Sequence, residues 1–379
     1  MKIVIAPDKF KGCLSAAAVA KAIGAGLLRA CPSARLDLCP MADGGEGTVS
    51  ALVEATGGRL ITRRVTGPLP EMRVDAVFGM LGDGQTAVVE MAAASGLALL
   101  KNPEDRNPLN TTTFGAGELL VAAAELGATR CILGIGGSAT TDAGIGAAQA
   151  VGLPVILEDG APLSPTEPLC GRDLDSVVLI KHGRGSPIER MKITVACDVT
   201  NPLFGPLGAA PVYGPQKGAT AQMVRDLDDA LRRLAERTGK LAEANTPGAG
   251  AAGGLGFGLL AWFGATLSSG IDTMIAATNL RARLAGADLC ITGEGRIDSQ
   301  SLHGKAPVGV ARLCKELAVP CIGIGGAVEA DLAQARAEGL TALFSICDRP
   351  MELAQAIAEA PALLARAGEN VLAAFVAKG

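Results

Sequence analysis

Five ionisable side chains, Glu294, Arg296, Asp298, His303 and Lys305, stand within twelve positions of one another among glycines and small polar residues. A segment whose only task was to connect two elements would not need that density. Carboxylates beside cations suit a small anion and a divalent ion together, because Mg²⁺ takes one or two carboxylates plus phosphate oxygens and waters. Four further polar, Gly-rich loops carry the same residue types. They are APDKFKG with Asp8, Lys9 and Lys11, ADGGEGT with Asp43 and Glu46, GIGGSATTD with Gly136, Gly137, Ser138, Thr140 and Asp142, and the run from CDVTNP to GPQKGA with Asp198, Asn201, Gln216 and Lys217. Glycine lets backbone N–H groups approach an anion, and a helix N-terminus behind it adds favourable partial charge. The chemistry this combination suits is phosphoryl transfer, which is mostly positioning and charge neutralisation.

Any one of these loops is equally well an ordinary turn, since Gly, Asp and Asn are favoured there for backbone reasons. Asp43 and Ser138 can cap helices, Arg296 or Lys217 alone suits a solvated surface, and His303 alone suits a positioning donor better than a base. Their joint occurrence carries the reading. A rival motif is GxGxxA, formed by Gly134, Gly136 and Ala139 after an apolar run, with Glu158 about twenty residues on, the pattern of a dinucleotide site and its acidic ribose partner. It leaves the other loops without a purpose. A Walker loop is excluded, because Ala306 follows Gly304-Lys305 and Ser299 stands at the first glycine position.

Short β-branched runs at Lys2 to Ala6, Arg130 to Ile135, Lys192 to Cys197, Asp288 to Thr292 and Val319 to Ile324 lead into these loops, and helical patterns follow. That rhythm predicts βα units and a parallel sheet, where ligands bind at the carboxyl ends of strands. Ser15 is placed to cap a helix with Val19, Ile23 and Leu27 on one face, and Thr220 one with Val224, Leu227, Leu231 and Leu234. Between about Arg63 and Glu90 the pattern changes to antiparallel strands around the turn GDGQ. At 379 residues two domains are expected: residues 1–62 with 285–379 as a discontinuous parallel-sheet domain, and 63–284 as an inserted mixed-sheet domain. The Gly/Ala run PGAGAAGGLG at 247–256 suits close backbone approach to a ligand or another element.

Composition narrows the partners. Net charge is −4 with scattered basic residues and 3% aromatics, which gives no footprint for nucleic acid or an anionic membrane. The ten cysteines form no CxxC pair; Cys131, Cys197, Cys290 and Cys321 read as small core hydrophobes rather than a disulfide or zinc framework. KIVIAPD is too short for a signal peptide and Leu255 to Leu267 too short for a membrane span, so a cytoplasmic setting and a small-molecule substrate are expected.

Taken in order, KIVIAPDKFKGCLSA, PMADGGEGT, GIGGSATTDAG, ACDVTNPL, GPQKGA, PGAGAAGGLG and ITGEGRIDSQSLHGKAPVGVA span nearly the whole chain. In them the sequence resembles the bacterial glycerate kinase family, the type that includes D-glycerate 2-kinases. The resemblance implies two α/β domains, one Rossmann-like, an active site between them, and ATP-dependent, Mg²⁺-assisted phosphorylation of glycerate, with the 2-hydroxyl favoured over the 3-hydroxyl. It then suggests roles: Glu294 and Asp298 for Mg²⁺ or substrate hydroxyls, Arg296 and Lys305 for anionic oxygens, and His303 for positioning. Asp198, ending the apolar run KITVAC before an Asn-Pro turn, is held rigidly at the sheet's carboxyl edge as a base must be. Asp8 and Lys11 join the catalytic set, and the remaining loop residues named above bind substrate or nucleotide. Family members commonly have Ser at positions 9 and 13 and Gly at 143, where this chain has Lys9, Cys13 and Ala143.

Overall fold

Pairing between distant strands organises the chain. The structure, a computed structural model, describes residues 1–160, 163–164, 167–181, 185–299, 301 and 305–377. Its strands are β1 Lys2–Ile5, β2 Arg35–Leu38, β3 Arg59–Thr66, β4 Arg73–Met80, β5 Thr86–Glu90, β6 Arg130–Gly134, β7 Val155–Leu157, β8 Val177–Ile180, β9 Lys192–Ala196, β10 Thr266–Ser268, β11 Leu289–Ile297, β12 Cys321–Val328 and β13 Ala342–Ser345. Two units form. One comprises Met1–Asp43, Ser50–Gly57 and Ile271–Gly379, the other Gly44–Val49 and Gly58–Gly270.

The first unit holds a parallel sheet in the order β13-β12-β11-β1-β2. From β1 the chain adds β2 on one side and later β11, β12 and β13 on the other, so the strand order reverses between β1 and β11. Ligand crevices of open α/β sheets lie at the carboxyl ends of strands at such a reversal. Ser15 caps helix Ala16–Ala30 as expected, its Oγ accepting from the Ala18 amide at 3.3 Å. Val19, Ile23 and Leu27 join Ile3, Ile5, Ile291 and Ile324 in the core.

One expectation changes here. The segment after Thr292 reads as a loop, but β11 continues through Ile297, with Glu294 opposite Gly325 and Arg296 opposite Ala327 on β12. A glycine-rich stretch looks irregular in isolation; a parallel partner 31 positions away (325 − 294) supplies its hydrogen bonds. Glu294 therefore sits on strand backbone.

The second unit holds a mixed sheet in the order β10-β9-β6-β5-β4-β3. β3, β4 and β5 are antiparallel, and β5, β6, β9 and β10 are parallel. In the hairpin at 82–85, Asp83 Oδ1 accepts from the amides of Gln85 and Thr86, both at 2.8 Å. Phe78, Leu119, Leu120, Phe257 and Trp262 fill the core. Thr220 caps helix Ala221–Arg237, which buries Leu227, Leu231 and Leu234 and leaves Val224 partly covered.

The dinucleotide reading finds no support in this topology. Glu158 follows β7, and β7 pairs antiparallel with β8 in a separate two-stranded sheet instead of lying beside β6. A ribose partner belongs at the end of the next parallel strand. Among the described residues no helix is long and apolar enough to cross a membrane.

Candidate active site

In the first unit, hydrogen bonds fix the backbone at the strand-order reversal. The amides of Ala6 and Asp8 donate to the carbonyls of Ile291 and Gly293 at 2.7 and 2.8 Å. That register leaves the Asp8 side chain 5% exposed, accepting from the Lys9 amide at 2.6 Å. Burial raises its pKa from 3.8 to about 7, partly offset by the Lys9 charge and increased again by Asp43 and Glu294. Glu294 is 8% exposed and lies 3.7 Å from Lys305 Nζ. Burial raises its pKa as well, against Ser301 and Lys305. Its Oε1 is buried without a hydrogen-bond partner among the described residues. Carboxylates so placed favour a cation, and an orphaned buried oxygen is the atom a metal ion would take up.

Asp298 exchanges hydrogen bonds with Ser301: each amide donates to the other side chain at 3.1 Å. Lys305 occupies the N-cap of helix Ala306–Glu316. Asp8, Asp43, Glu294, Asp298 and Lys305 are thus brought to one sheet edge, where they act on one another electrostatically. Arg296 instead turns to Glu329 at 2.6 Å and Asp298 at 3.4 Å, with 60% of its side chain exposed. Lys11 is exposed, and His303 lies outside the described residues.

In the second unit, the loops gather at the carboxyl ends of β5, β6, β9 and β10. Glu90, ending β5, accepts from the Val49 amide at 2.9 Å. Gly44 closes onto the ends of β9 and β10, where a Cβ would stand 2.9 Å from Ala196 Cβ and 3.1 Å from Gly270 Cα. Asp198, exposed after β9, accepts from the Gly270 amide at 2.8 Å. Asn201 is taken up by the Tyr213 hydroxyl at 2.6 Å and the Leu207 carbonyl at 2.8 Å. Glu46 and Gln216 are exposed.

The loop after β6 is braced from behind. Lys217, 2% exposed, donates to the Thr140 carbonyl at 2.5 Å and to Ser138 Oγ at 3.3 Å. Burial lowers its pKa to about 7, with Asp142 opposing. Asp142, fully buried, accepts from Thr113 N and Oγ1 at 2.8 and 2.7 Å and from the Gly144 amide at 3.1 Å. Burial raises its pKa against these bonds. Asp142 and Lys217 therefore hold the loop, while Gly136 and Gly137 expose its backbone.

The Gly/Ala run completes the brace. Ala252, Gly253 and Gly254 take left-handed conformations, and Gly253 O accepts from the Ala143 amide at 3.1 Å. A Cβ on Gly253 would fall 1.9 Å from the Thr140 carbonyl oxygen. Close approach to another element is the role its composition predicts. Ala143 itself has φ of 52°, a conformation that glycine adopts without steric penalty.

Several supporting residues escape sequence reasoning. Thr111 Oγ1 donates to the Ala139 carbonyl at 3.0 Å, Thr112 to Leu169 and Thr113 to Asp142. Glu90 and Ser301 complete the set. The polar run NTTT before an apolar helix was the one available signal; Glu90 and Ser301 had none.

Comparison with known proteins identifies the family. The profile described as "Glycerate kinase family" matches residues 3–376. A glycerate kinase of Bacillus subtilis is 48% identical over 99% of this chain and 98% of its own length. A glycerate 2-kinase of Escherichia coli K12 is 46% identical over 98% and 97%. A solved protein of Salmonella typhimurium LT2 designated glycerate kinase 2 superposes with a TM-score of 0.88 at 44% identity, covering 100% of this chain and 99% of that one. A parallel and a mixed sheet whose loops carry the family's motifs, matched end to end by these relatives, place the chain in the glycerate kinase family.

Proposed function

We propose that the protein transfers the γ-phosphoryl group of ATP to the 2-hydroxyl of D-glycerate. The observation that carries this reading is the buried Asp8 beside Glu294 at the strand-order reversal of the parallel sheet. A carboxylate whose pKa is raised to about 7 suits a proton acceptor at neutral pH. Asp8 takes the hydroxyl proton as the oxygen attacks phosphorus. Asp198 fits that role less well, being exposed and engaged by Gly270, and serves in binding instead.

Glu294 and Asp298 are the residues that would hold Mg²⁺. The ion, when bound, neutralises phosphate charge. Among the described residues no three carboxylate oxygens cluster closely enough to cage an ion alone, as befits a metal that shares its shell with phosphates and waters. Lys305 supplies a cation for the transferring group. The exposed backbone of Gly136 and Gly137 offers N–H groups to anionic oxygens, and Asp43, Glu46, Asn201 and Gln216 remain binding candidates. Ten unpaired cysteines support a reducing, cytoplasmic setting.

The test incubates the enzyme with Mg-ATP and D-glycerate in the presence of enolase and absence of a mutase. Immediate phosphoenolpyruvate is the expected result. ADP without it would assign the 3-hydroxyl, and no ADP would remove the reading.

A further expectation concerns the loop brace. Lys217→Met keeps the buried stem and removes the ammonium, so Gly136 to Thr140 loses its support. Turnover is expected to fall about 10²-fold, while stability changes little, because relief of a buried charge offsets the lost hydrogen bonds. Steady-state kinetics beside calorimetry checks this; unchanged kcat and KM would show that the brace is irrelevant to the reaction.

A further inference from the structure

Three cysteines meet inside the first unit, away from the loops described above. Cys290 on β11 is in register with Cys321 on β12, and Cys314 lies near the end of helix Ala306–Glu316. All three are fully buried, and their Sγ atoms lie within 4.8 Å of one another. In sequence they are 24 and 7 positions apart (314 − 290 and 321 − 314), so no metal-binding spacing announces them.

We propose that this trio is a binding site for a trivalent thiophilic metalloid of the arsenic(III) or antimony(III) class, held as a tris-thiolate. In the trigonal pyramid that the lone pair of a trivalent arsenic or antimony centre imposes, sulfurs at the ~2.3 Å typical of metal–thiolate bonds stand about 3.5 Å apart, so sulfurs already within 4.8 Å of one another have little further to close. Charge selects the ion. Three thiolates neutralise a trivalent centre completely, whereas a divalent ion would leave a buried net negative charge. Divalent zinc also wants a fourth ligand, and the described residues place no fourth His, Cys, Asp or Glu in this group.

A surface groove of about 570 Å³ includes Lys315, Val319, Pro320 and Thr341 in its lining, the first and third being chain neighbours of Cys314 and Cys321. With arsenite the reaction balances without redox change. Three As–S bonds replace three As–O bonds, each thiol proton leaves with a hydroxide as water, and arsenic stays trivalent.

The test adds arsenite to the reduced full-length protein and reads native mass and thermal melting. One arsenic per chain in place of three protons is expected, with a raised Tm. The adduct should persist in the Cys13→Ser/Cys347→Ser double variant and be lost in Cys290→Ala and Cys314→Ala. No adduct, an adduct replacing fewer than three protons, or one that survives Cys314→Ala would overturn the proposal, as would equally tight binding of zinc. Should either alanine variant fail to fold, the proton count in the wild type and its persistence in the double variant decide the matter.

Discussion

Asp8→Asn is expected to lower kcat by about 10² to 10⁴-fold and, at the same time, to stabilise the protein above pH 7. Both effects come from one cause. The side chain is 5% exposed, and burial lifts its pKa from 3.8 to about 7. The folded state therefore binds a proton that the unfolded chain releases between those values. Below 3.8 the carboxyl is neutral in both states and costs nothing; as pH rises through 7 the penalty grows to its full size and then stays level. At about 1.4 kcal/mol per pH unit the rise caps this penalty at about 4 kcal/mol, and Asn removes it while keeping an acceptor for the Lys9 amide. Denaturant unfolding at pH 5.5 and 8, without Mg²⁺ or nucleotide, should show the larger gain at pH 8. A companion variant, Lys9→Ser, removes the main charge holding the Asp8 pKa down, so the acid limb of kcat/KM should move to higher pH. Full activity in Asp8→Asn, or a gain that shrinks as pH rises, would reject Asp8 as the proton acceptor.

Gly253→Ala should be the most damaging single methyl in the second unit. The new Cβ would sit 1.9 Å from the Thr140 carbonyl oxygen and 2.6 Å from Thr141 Cα, at φ of 68°. Backbone cannot yield as a flexible side chain can. The expected loss is about 3–5 kcal/mol, in the range reserved for packing and backbone failures of this kind, with displacement of the loop that Lys217 and Asp142 hold. Gly57→Ala separates clash from conformation, since it has nearly the same φ, 67°, and nothing within 4 Å of a Cβ. That variant should lose only about 1–2 kcal/mol. Comparable losses in the two variants would show that left-handed strain, not contact with the loop, sets the cost.

Much of the frame was legible because it depends on local pattern. The β-branched runs at 2–6, 130–135 and 192–197 became β1, β6 and β9, and Ser15 and Thr220 became caps, since alternation, periodicity and capping act over a few residues. Long polar motifs placed the family, because their order along the chain is a property of sequence alone.

Which motif residues face a ligand and which hold the fold was decided only in three dimensions. Asp142 and Asp8 look alike in sequence, each an acid in a polar loop after an apolar run. The amides of Thr113 and Gly144 and the Thr113 hydroxyl satisfy Asp142, whereas Asp8 is left beside the acidic side chains of Asp43 and Glu294. Arg296 looked free for an anion until β12 brought Glu329 within 2.6 Å. Cys290, Cys314 and Cys321 became one cluster only when β11, β12 and a helix packed together. Burial and partner choice are set by residues far away in the chain, and neither spacing nor residue type carries that information.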